Sequence, residues 1–254
     1  MTPLALTLFP FGLVIGSFLN VAIHRVPRKE SVVWPASHCP RCGSALRKRD
    51  NVPVLSYLLL RGRCRECREP ISPRYPLVEL ATGLLFAAAA YRFGSSGPSP
   101  ELVSALVLIC ALLVLGGTDL EHRLLPNAIV LPALLAGLAV SALADPQRWW
   151  TYPVAGLGVG GFLLALALVY PGGMGMGDVK MGAMLGAFLG GYAALAVFAG
   201  ALAGALAGGG LVALGRAGRR SRLPFGSFMA LGGLAALFFG PEVWDSYLRL
   251  LGGV

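Results

Sequence analysis

Four cysteines lie in one polar stretch of the chain as two Cys-x2-Cys pairs. Cys39 and Cys42 form the first pair, Cys64 and Cys67 form the second, and 21 residues separate the pairs. Four thiolates in this pattern can close a tetrahedral shell around Zn²⁺, and Gly43 follows the first pair as it does in a tight turn. Because four sulfur ligands leave no open coordination position, such a zinc ion is structural. The spacing therefore predicts a zinc site with four cysteine ligands.

Three other interpretations of these cysteines stay open. The four thiols can be unrelated residues that share a loop. They can pair as disulfides, which a reducing compartment disfavours. They can belong to a zinc ribbon that binds nucleic acid, because many arginines and lysines surround them.

Two aspartates stand out because they adjoin long apolar segments. Asp119 ends the run LLVLGGTD, and Asp178 follows the glycines of GGMGMGD. Ionisable groups are rare within membrane-spanning segments and are usually functional there. Two carboxylates that meet at one point share a proton, so that one can activate water while the other protonates a carbonyl oxygen. The two residues are therefore candidates for acid–base hydrolysis, provided that the fold brings them together.

Each aspartate also has a purely structural interpretation. Asp178 can cap a helix, since aspartate is favoured at helix N-termini. Asp119 can belong to a solvated loop together with Glu121, His122 and Arg123. Glu121 is a rival for the role of Asp119, although it lies further into that loop.

The elements that must position these groups are predicted to be membrane-spanning helices. Apolar residues make up 56% of the 254 residues and charged residues only 13%, whereas a soluble domain carries about a quarter charged residues. Lipid offers no hydrogen-bond partners to the backbone, so each apolar span should be an α-helix, and the alternating polarity of barrel strands is absent. The predicted fold is an all-α polytopic membrane protein with about eight transmembrane helices. The predicted spans are residues 4–23, 76–93, 101–118, 127–144, 152–170, 179–192, 194–214 and 225–240, with an uncertain junction near Gly190.

Basic residues predict the orientation of the chain, because cytoplasmic loops are enriched in lysine and arginine. With the N-terminus outside, the inner segments and the adjacent Lys180 hold 18 of the 21 basic residues. Both termini are therefore predicted to lie outside, and Asp119 and Asp178 to lie on the cytoplasmic side at similar depth. The same rule accounts for the arginines beside the cysteines, so no nucleic-acid partner is predicted. The inner segments are residues 24–75, 119–126, 171–178 and 215–224.

Six ordered blocks of the chain resemble those of the bacterial type IV prepilin peptidases, membrane aspartic proteases with a GxGD signature. The similarity runs over almost the whole chain. The blocks are GSFLNVAIHRVP at 16–27, the two cysteine pairs, ISPRYPLVEL at 71–80, TDLEHRLLPN at 118–127, GMGDVKM at 175–181 and PFGSFMALGG at 224–233.

This resemblance implies a bacterial inner-membrane enzyme with its active site at the cytoplasmic face. The implied reaction is removal of the basic leader from type IV prepilins and type II secretion pseudopilins, with Asp119 and Asp178 as the catalytic dyad. Members with the cysteine loop also N-methylate the new N-terminal residue, with S-adenosylmethionine as methyl donor. The implied zinc ligands are Cys39, Cys42, Cys64 and Cys67. The sequence assigns no residue to S-adenosylmethionine and no oligomeric state.

The resemblance also divides the chain into functional parts. Residues 1–23 are a first transmembrane helix, residues 24–75 a cytoplasmic zinc-binding loop associated with methyl transfer, and residues 76–254 a transmembrane aspartic peptidase domain. Two positions depart from the family pattern: Glu121, where aspartate is frequent, and Ser227, where proline is common. We expect neither departure to touch the proposed catalytic groups.

Lys180 is expected either to pair with a carboxylate or to extend to the membrane interface. Glu79 and Glu121 are candidates for attracting a basic leader. The main functional alternative is an ion-coupled transporter or channel that uses the same aspartates, although such proteins place acids near the bilayer midplane on repeated elements. A membrane-anchored zinc scaffold without catalysis is a third possibility.

Overall fold

The structure, a computed structural model, describes residues 3–94, 97–170, 173–216 and 223–250. Within these residues the chain is helical, and its extended pairings are two isolated bridges, His38 with Ala45 and Arg63 with Pro70. The prediction of an all-α fold is confirmed. The α-helices are α1 (Pro3–Arg25), α2 (Leu55–Leu59), α3 (Arg74–Phe93), α4 (Pro100–His122), α5 (Asn127–Ala144), α6 (Thr151–Val169), α7 (Met176–Leu189), α8 (Ala193–Ala213) and α9 (Phe225–Leu250).

Seven segments of the described chain are long and apolar enough to cross a membrane. Six of them correspond to single predicted spans, and the remaining one, Met176–Ala213, joins the predicted sixth and seventh spans. Within it, α7 and α8 are separate helices joined by a 3₁₀ turn, and Gly190 has a φ of 55° at the break. The 14 residues of α7 measure only about 21 Å, less than the hydrocarbon thickness of a bilayer. The eight long helices thus lie at the predicted positions, but α7 alone is too short for a span.

Two helices extend beyond their predicted ends. α4 continues to His122 and is closed by Arg123, whose N–H donates to Asp119 O at 2.9 Å. Asp119 therefore lies in the last turn of α4, and its proposed place in a solvated loop is wrong. α9 continues through Pro241 to Leu250, so its predicted end at residue 240 is also wrong.

The chain forms two compact units, Met1–Gly97 and Pro98–Val254. In the first unit, α1 packs along α3 through glycines spaced four residues apart. A Cβ at Gly12 would lie 2.8 Å from Gly83 Cα, and a Cβ at Gly16 would lie 2.7 Å from Glu79 Cα. Small residues let helix backbones approach closely where lipid supplies no hydrophobic driving force. This spacing therefore sets the close contact between α1 and α3.

In the second unit, α7 is enclosed by its neighbours. It packs against α5, α6 and α9, and the residues from Met181 to Leu189 are nearly all buried. Gly186 lies directly against Gly156 of α6, which leaves no room for a side chain at that contact. Because protein rather than lipid surrounds α7, the helix can be shorter than a span and can begin with a polar group. The core around it contains Leu112, Leu115, Val130, Leu163, Met184, Leu185 and Met229.

Candidate active site and metal centre

The first unit brings the four cysteines of the predicted zinc site together. The sulfur atoms of Cys39, Cys42, Cys64 and Cys67 all lie within 4.8 Å of one another, and the sulfurs of Cys39 and Cys67 are 3.9 Å apart. Sulfurs bound tetrahedrally to one zinc at about 2.3 Å are about 3.8 Å apart. The interpretation as unrelated thiols is therefore wrong, since the cluster has the dimensions of a metal site with four cysteine ligands.

The two cysteine pairs lie on two turns of the same form. In the first turn, Gly43 N–H donates to Cys39 O at 2.9 Å; in the second, Arg68 N–H donates to Cys64 O at 3.1 Å. Gly43 and Arg68 occupy the same place after the second cysteine of each pair, with φ values of 70° and 61°. The tight turn predicted at Gly43 is confirmed, and its counterpart uses an arginine in a conformation that favours glycine.

The thiols repel one another as they ionise. A hydrogen bond from Ser44 lowers the pKa of Cys42 to about 6. Backbone N–H groups, that of Cys67 first, lower the pKa of Cys64. The backbone hydrogen bond from Glu69 lowers the pKa of Cys67, but burial and the other three thiols outweigh it and raise that pKa to about 12. A divalent cation would offset this repulsion, so the chemistry of the donor set also fits zinc.

An arginine–carboxylate pair holds the segment before α2 against the second cysteine pair. Arg65 Nε donates to Asp50 Oδ2 at 2.9 Å, and Arg65 Nη2 donates to Asp50 Oδ1 at 2.6 Å. The Asp50 side chain is only 6% exposed, and the hydrogen bond from Arg65 holds its pKa below the usual 3.8. Such two-point pairs fix geometry as well as charge. The Arg65–Asp50 pair therefore ties the second cysteine turn to the segment before α2.

Glu79, one of the candidates for leader binding, lies in the second turn of α3 and is buried. Its Oε2 accepts the N–H of Val54 at 2.7 Å. One carboxylate oxygen is therefore occupied by the backbone of the loop, which it ties to α3.

In the second unit, Asp119 is buried and contacts the first turn of α9. The Ser227 N–H donates to Asp119 Oδ2 at 2.8 Å, and Ser227 Oγ is 3.1 Å from the same oxygen. Ser227 Oγ also donates to Gly116 O at 3.0 Å, one turn before Asp119 in α4. The expectation that Ser227 does not touch the proposed catalytic groups is therefore wrong. The sequence feature from which this contact could have been predicted is the place of Ser227 in the block at 224–233, at the start of a predicted span.

Asp178 occupies the third position of α7. The Gly175 N–H donates to Asp178 Oδ2 at 3.1 Å, and the Asp178 N–H donates to Gly175 O at 3.0 Å. Asp178 thus satisfies a backbone donor at the helix start, as the structural interpretation predicts, although from inside the first turn rather than from the N-cap. Its side chain is half-buried.

Two contacts place the ends of α4, α7 and α9 together. Leu125 packs against Gly177, which precedes Asp178, and against Gly226, which precedes Ser227. A Cβ at Gly177 would lie 2.9 Å from Leu125 Cβ, and a Cβ at Gly226 would lie 3.0 Å from Leu125 Cδ1. That Gly226 Cβ would also lie 3.1 Å from Asp119 Cγ. Leu125 therefore lies beside the glycine that precedes Asp178 and beside the glycine that contacts Asp119, which places both aspartates at one end of the second unit.

Two further polar residues lie near the same helix ends. Lys180 Nζ donates to Asn127 Oδ1 at 3.0 Å, which joins the start of α7 to the start of α5. Glu121 is exposed, and its Oε2 is 3.9 Å from His122 Nε2. Glu121 is thus exposed to solvent, whereas Asp119, two residues earlier, is buried.

Acid–base hydrolysis by two carboxylates requires that they share one proton. In the described part of the chain, Asp119 and Asp178 each accept their hydrogen bonds through the Oδ2 atom. Two carboxylates that interact electrostatically titrate as a pair and can hold one proton between them. The ionised member can then take a proton from water while the protonated member gives one to a carbonyl oxygen.

Two family models match the chain. The Bacterial Peptidase A24 N-terminal domain matches residues 11–93, which contain the four cysteines. The Type IV leader peptidase family matches residues 106–209, which contain Asp119 and Asp178. No solved structure matches the chain.

Curated relatives carry the name prepilin leader peptidase/N-methyltransferase. The chain is 40% identical over 280 residues to that of Burkholderia pseudomallei (strain 1026b), covering 95% of this chain and 86% of the relative. It is 38% identical over 245 residues to that of Bacillus subtilis (strain 168), covering 96% and 97%. It is 35% identical over 271 residues to that of Pseudomonas aeruginosa, covering 95% and 92%.

Proposed function

The chain belongs to the type IV leader peptidase family, and on that premise we propose that it is a bifunctional membrane enzyme. It removes the basic leader from type IV prepilins and type II secretion pseudopilins, and it N-methylates the new N-terminal residue. The observation that carries the proposal is that Leu125 packs against both Gly177, which precedes Asp178, and Gly226, whose Cβ position lies 3.1 Å from Asp119 Cγ. The names of the relatives support both activities.

Asp119 and Asp178 act as the dyad of an aspartic endopeptidase. The ionised carboxylate takes a proton from water as the water oxygen bonds to the scissile carbonyl carbon, and the protonated one gives its proton to the carbonyl oxygen. Collapse of the tetrahedral intermediate breaks the C–N bond: the leaving amine takes the proton of one carboxyl group while the other carboxylate takes a hydroxyl proton from the intermediate, which leaves a carboxylic acid and restores the singly protonated dyad. Ser227 and the Gly175 N–H hold one oxygen of each carboxylate. The glycines before Asp178 leave room for an extended substrate backbone.

The N-terminal parts of the chain serve methyl transfer. Residues 24–75 form the zinc-binding loop, in which Cys39, Cys42, Cys64 and Cys67 hold a structural zinc ion. S-adenosylmethionine supplies the methyl group that is transferred to the new amine. Residues 1–23 anchor this loop, and residues 76–254 form the peptidase domain.

The enzyme lies in the bacterial inner membrane with both termini at the outer face and its active site at the cytoplasmic face. The distribution of 18 basic residues against three supports this orientation. Three of the 18, Arg219, Arg220 and Arg222, lie outside the described residues. A membrane-anchored prepilin with a cytosolic leader would present its scissile bond at the boundary where the α4 and α7 ends lie.

No observation favours the alternative of an ion-coupled transporter or channel. Both aspartates lie within one turn of a helix end and face other helix ends, whereas transport sites lie near the bilayer midplane.

A cleavage assay tests the dyad. Purified enzyme is incubated with a prepilin, and the shortened product is measured by mass spectrometry. We expect Asp119→Asn and Asp178→Asn each to lower the rate at least about 100-fold, since each removes one partner of acid–base catalysis. Glu101→Gln is the matched control, an exposed acid at the opposite end of α4 from Asp119, and should keep a rate near wild type. A dyad variant that cleaves at the wild-type rate would refute the assignment.

The same assay separates the two activities. A prepilin and labelled S-adenosylmethionine are supplied to wild-type enzyme, and incorporation of label into the shortened product is measured. Label on the N-terminal residue supports the methyltransferase proposal, whereas cleavage without label restricts the function to peptidase activity.

A further inference from the structure

The short helix α2 exposes an apolar face. Leu55, Leu58 and Leu59 follow the i, i+3, i+4 pattern of one helix side, and they are 52%, 64% and 73% exposed. Ser56, next to Leu55, is buried, with its Oγ donating to Arg49 O at 2.9 Å. We call the three leucines the leucine face.

The leucine face is tied to the start of a candidate membrane-spanning helix. The residue before α2, Val54, donates its N–H to Glu79 Oε2 at 2.7 Å. Glu79 is five residues after the start of α3 at Arg74, about 7.5 Å along a helix that is a candidate span. At that start, the Arg74 guanidinium lies 4.8 Å from the Tyr75 ring centroid, and such aromatic and basic residues are typical of the headgroup level. The hydrogen bond therefore holds α2 beside the first turns of this candidate span.

A basic cleft adjoins the leucine face. Its volume is about 590 Å³, and it is lined by Leu59, Leu60, Arg61, Arg63, Cys64, Arg65 and Arg68. Arg65 is held by Asp50. Arg61, Arg63 and Arg68 are exposed, and no ion pair in the described part of the chain uses them. Three guanidinium groups therefore surround a cleft beside three exposed leucines.

We propose that α2 docks on anionic phospholipid. The leucine face enters the boundary of the acyl chains, and Arg61, Arg63 and Arg68 bind the phosphates of the headgroups. Guanidinium groups suit phosphate because they are planar, always charged and able to make two hydrogen bonds at once. A basic prepilin leader is repelled by the same three arginines, so charge selects lipid as the occupant. Docking would hold the second cysteine pair at the membrane boundary. The docking proposal does not depend on the proposed catalytic activity.

Hydrogen exchange tests the docking. Full-length protein is placed in nanodiscs of phosphatidylcholine, alone or mixed with phosphatidylglycerol, and exchange of the amides of residues 55–60 is followed by mass spectrometry. We expect slower exchange in the anionic nanodiscs and loss of this difference at high salt, which screens exposed charges. Each of Arg61→Gln, Arg63→Gln and Arg68→Gln should reduce the difference roughly fivefold at low salt.

Two controls keep the result specific. Arg41→Gln changes an exposed arginine in the first cysteine turn and should leave exchange at 55–60 unchanged. The zinc content of every variant shows whether the loop is folded, so only variants with wild-type zinc are compared. Equal exchange in both lipids, or arginine variants that match Arg41→Gln, would overturn the proposal.

A photo-crosslinking amino acid at position 58 identifies the occupant. An adduct with phosphatidylglycerol supports lipid docking, and Leu55→Ser together with Leu59→Ser should lower its yield. If the adduct forms only with added prepilin or with a second copy of the chain, the surface binds protein and the lipid assignment is wrong.

Discussion

At the scale of single residues, Ser227 shapes the surroundings of Asp119. Its hydroxyl carries one hydrogen and lies 3.0 Å from Gly116 O and 3.1 Å from Asp119 Oδ2. When Asp119 is ionised, the hydroxyl can donate to it; when Asp119 carries a proton on Oδ2, it can donate to Ser227 Oγ while the hydroxyl turns to Gly116. Ser227 is thus a partner for both protonation states, and we interpret it as a positioning residue.

Replacing this hydroxyl should slow catalysis without weakening substrate binding. We expect Ser227→Ala to lower kcat about tenfold with little change in KM, because the backbone N–H remains and one hydrogen bond to a charged group is lost. Steady-state cleavage kinetics over a range of pH should show a lower kcat and a changed dependence of kcat on pH. Ser227→Thr should restore both. Ser141→Ala is the matched control, a buried serine whose hydroxyl has no partner among the described residues. Equal behaviour of the two alanine variants would rule out a specific role.

At the scale of elements, the zinc-binding loop has little core of its own. Its order rests on the two cysteine turns, the Arg65–Asp50 pair and the bond from Val54 to Glu79. In such small metal-binding segments the binding free energy of the metal is largely folding free energy. We therefore expect the loop to lose its structure when one of the four cysteines or the metal is removed, while Asp119 and Asp178 in the second unit keep their places.

Loss of one thiol tests this expectation. Cys42→Ser should reduce bound zinc from about one per chain to a small fraction, measured by metal analysis, and should expose residues 24–75 to limited proteolysis. Methyl transfer should fall with it, whereas prepilin cleavage should persist. Cys110→Ser, which changes a cysteine in the middle of α4, should keep its zinc. Full zinc content in Cys42→Ser would contradict the assignment of four cysteine ligands.

At the scale of the whole molecule, the charges outside the spans predict which loops face the cytoplasm. Arg148 lies between α5 and α6, where basic residues are few, and Arg123 closes α4. In intact cells, a membrane-impermeant maleimide should label Arg148→Cys and should not label Arg123→Cys, with wild-type protein as the background control. Labelling in the opposite order would contradict the predicted orientation and would place Asp119 and Asp178 at the outer face.

Sequence alone determined the features that depend on local pattern. The length of apolar runs located the long helices, because lipid leaves the backbone no other way to satisfy its hydrogen bonds. The spacing of Cys39, Cys42, Cys64 and Cys67 predicted a cluster that the structure contains, since each pair needs only a tight turn. The positions of Asp119 and Asp178 at span ends predicted that they share a face.

Tertiary structure alone decided the features that depend on how the helices pack. Ser227 reaches Asp119 across 108 positions of sequence, and Leu125 fills the space beside Gly177 and Gly226. Such contacts depend on the rotation and close approach of helices, which small residues at their interfaces allow and which hydropathy does not report. The same packing encloses α7, so that a helix too short for a span is surrounded by other helices and carries Asp178 in its first turn.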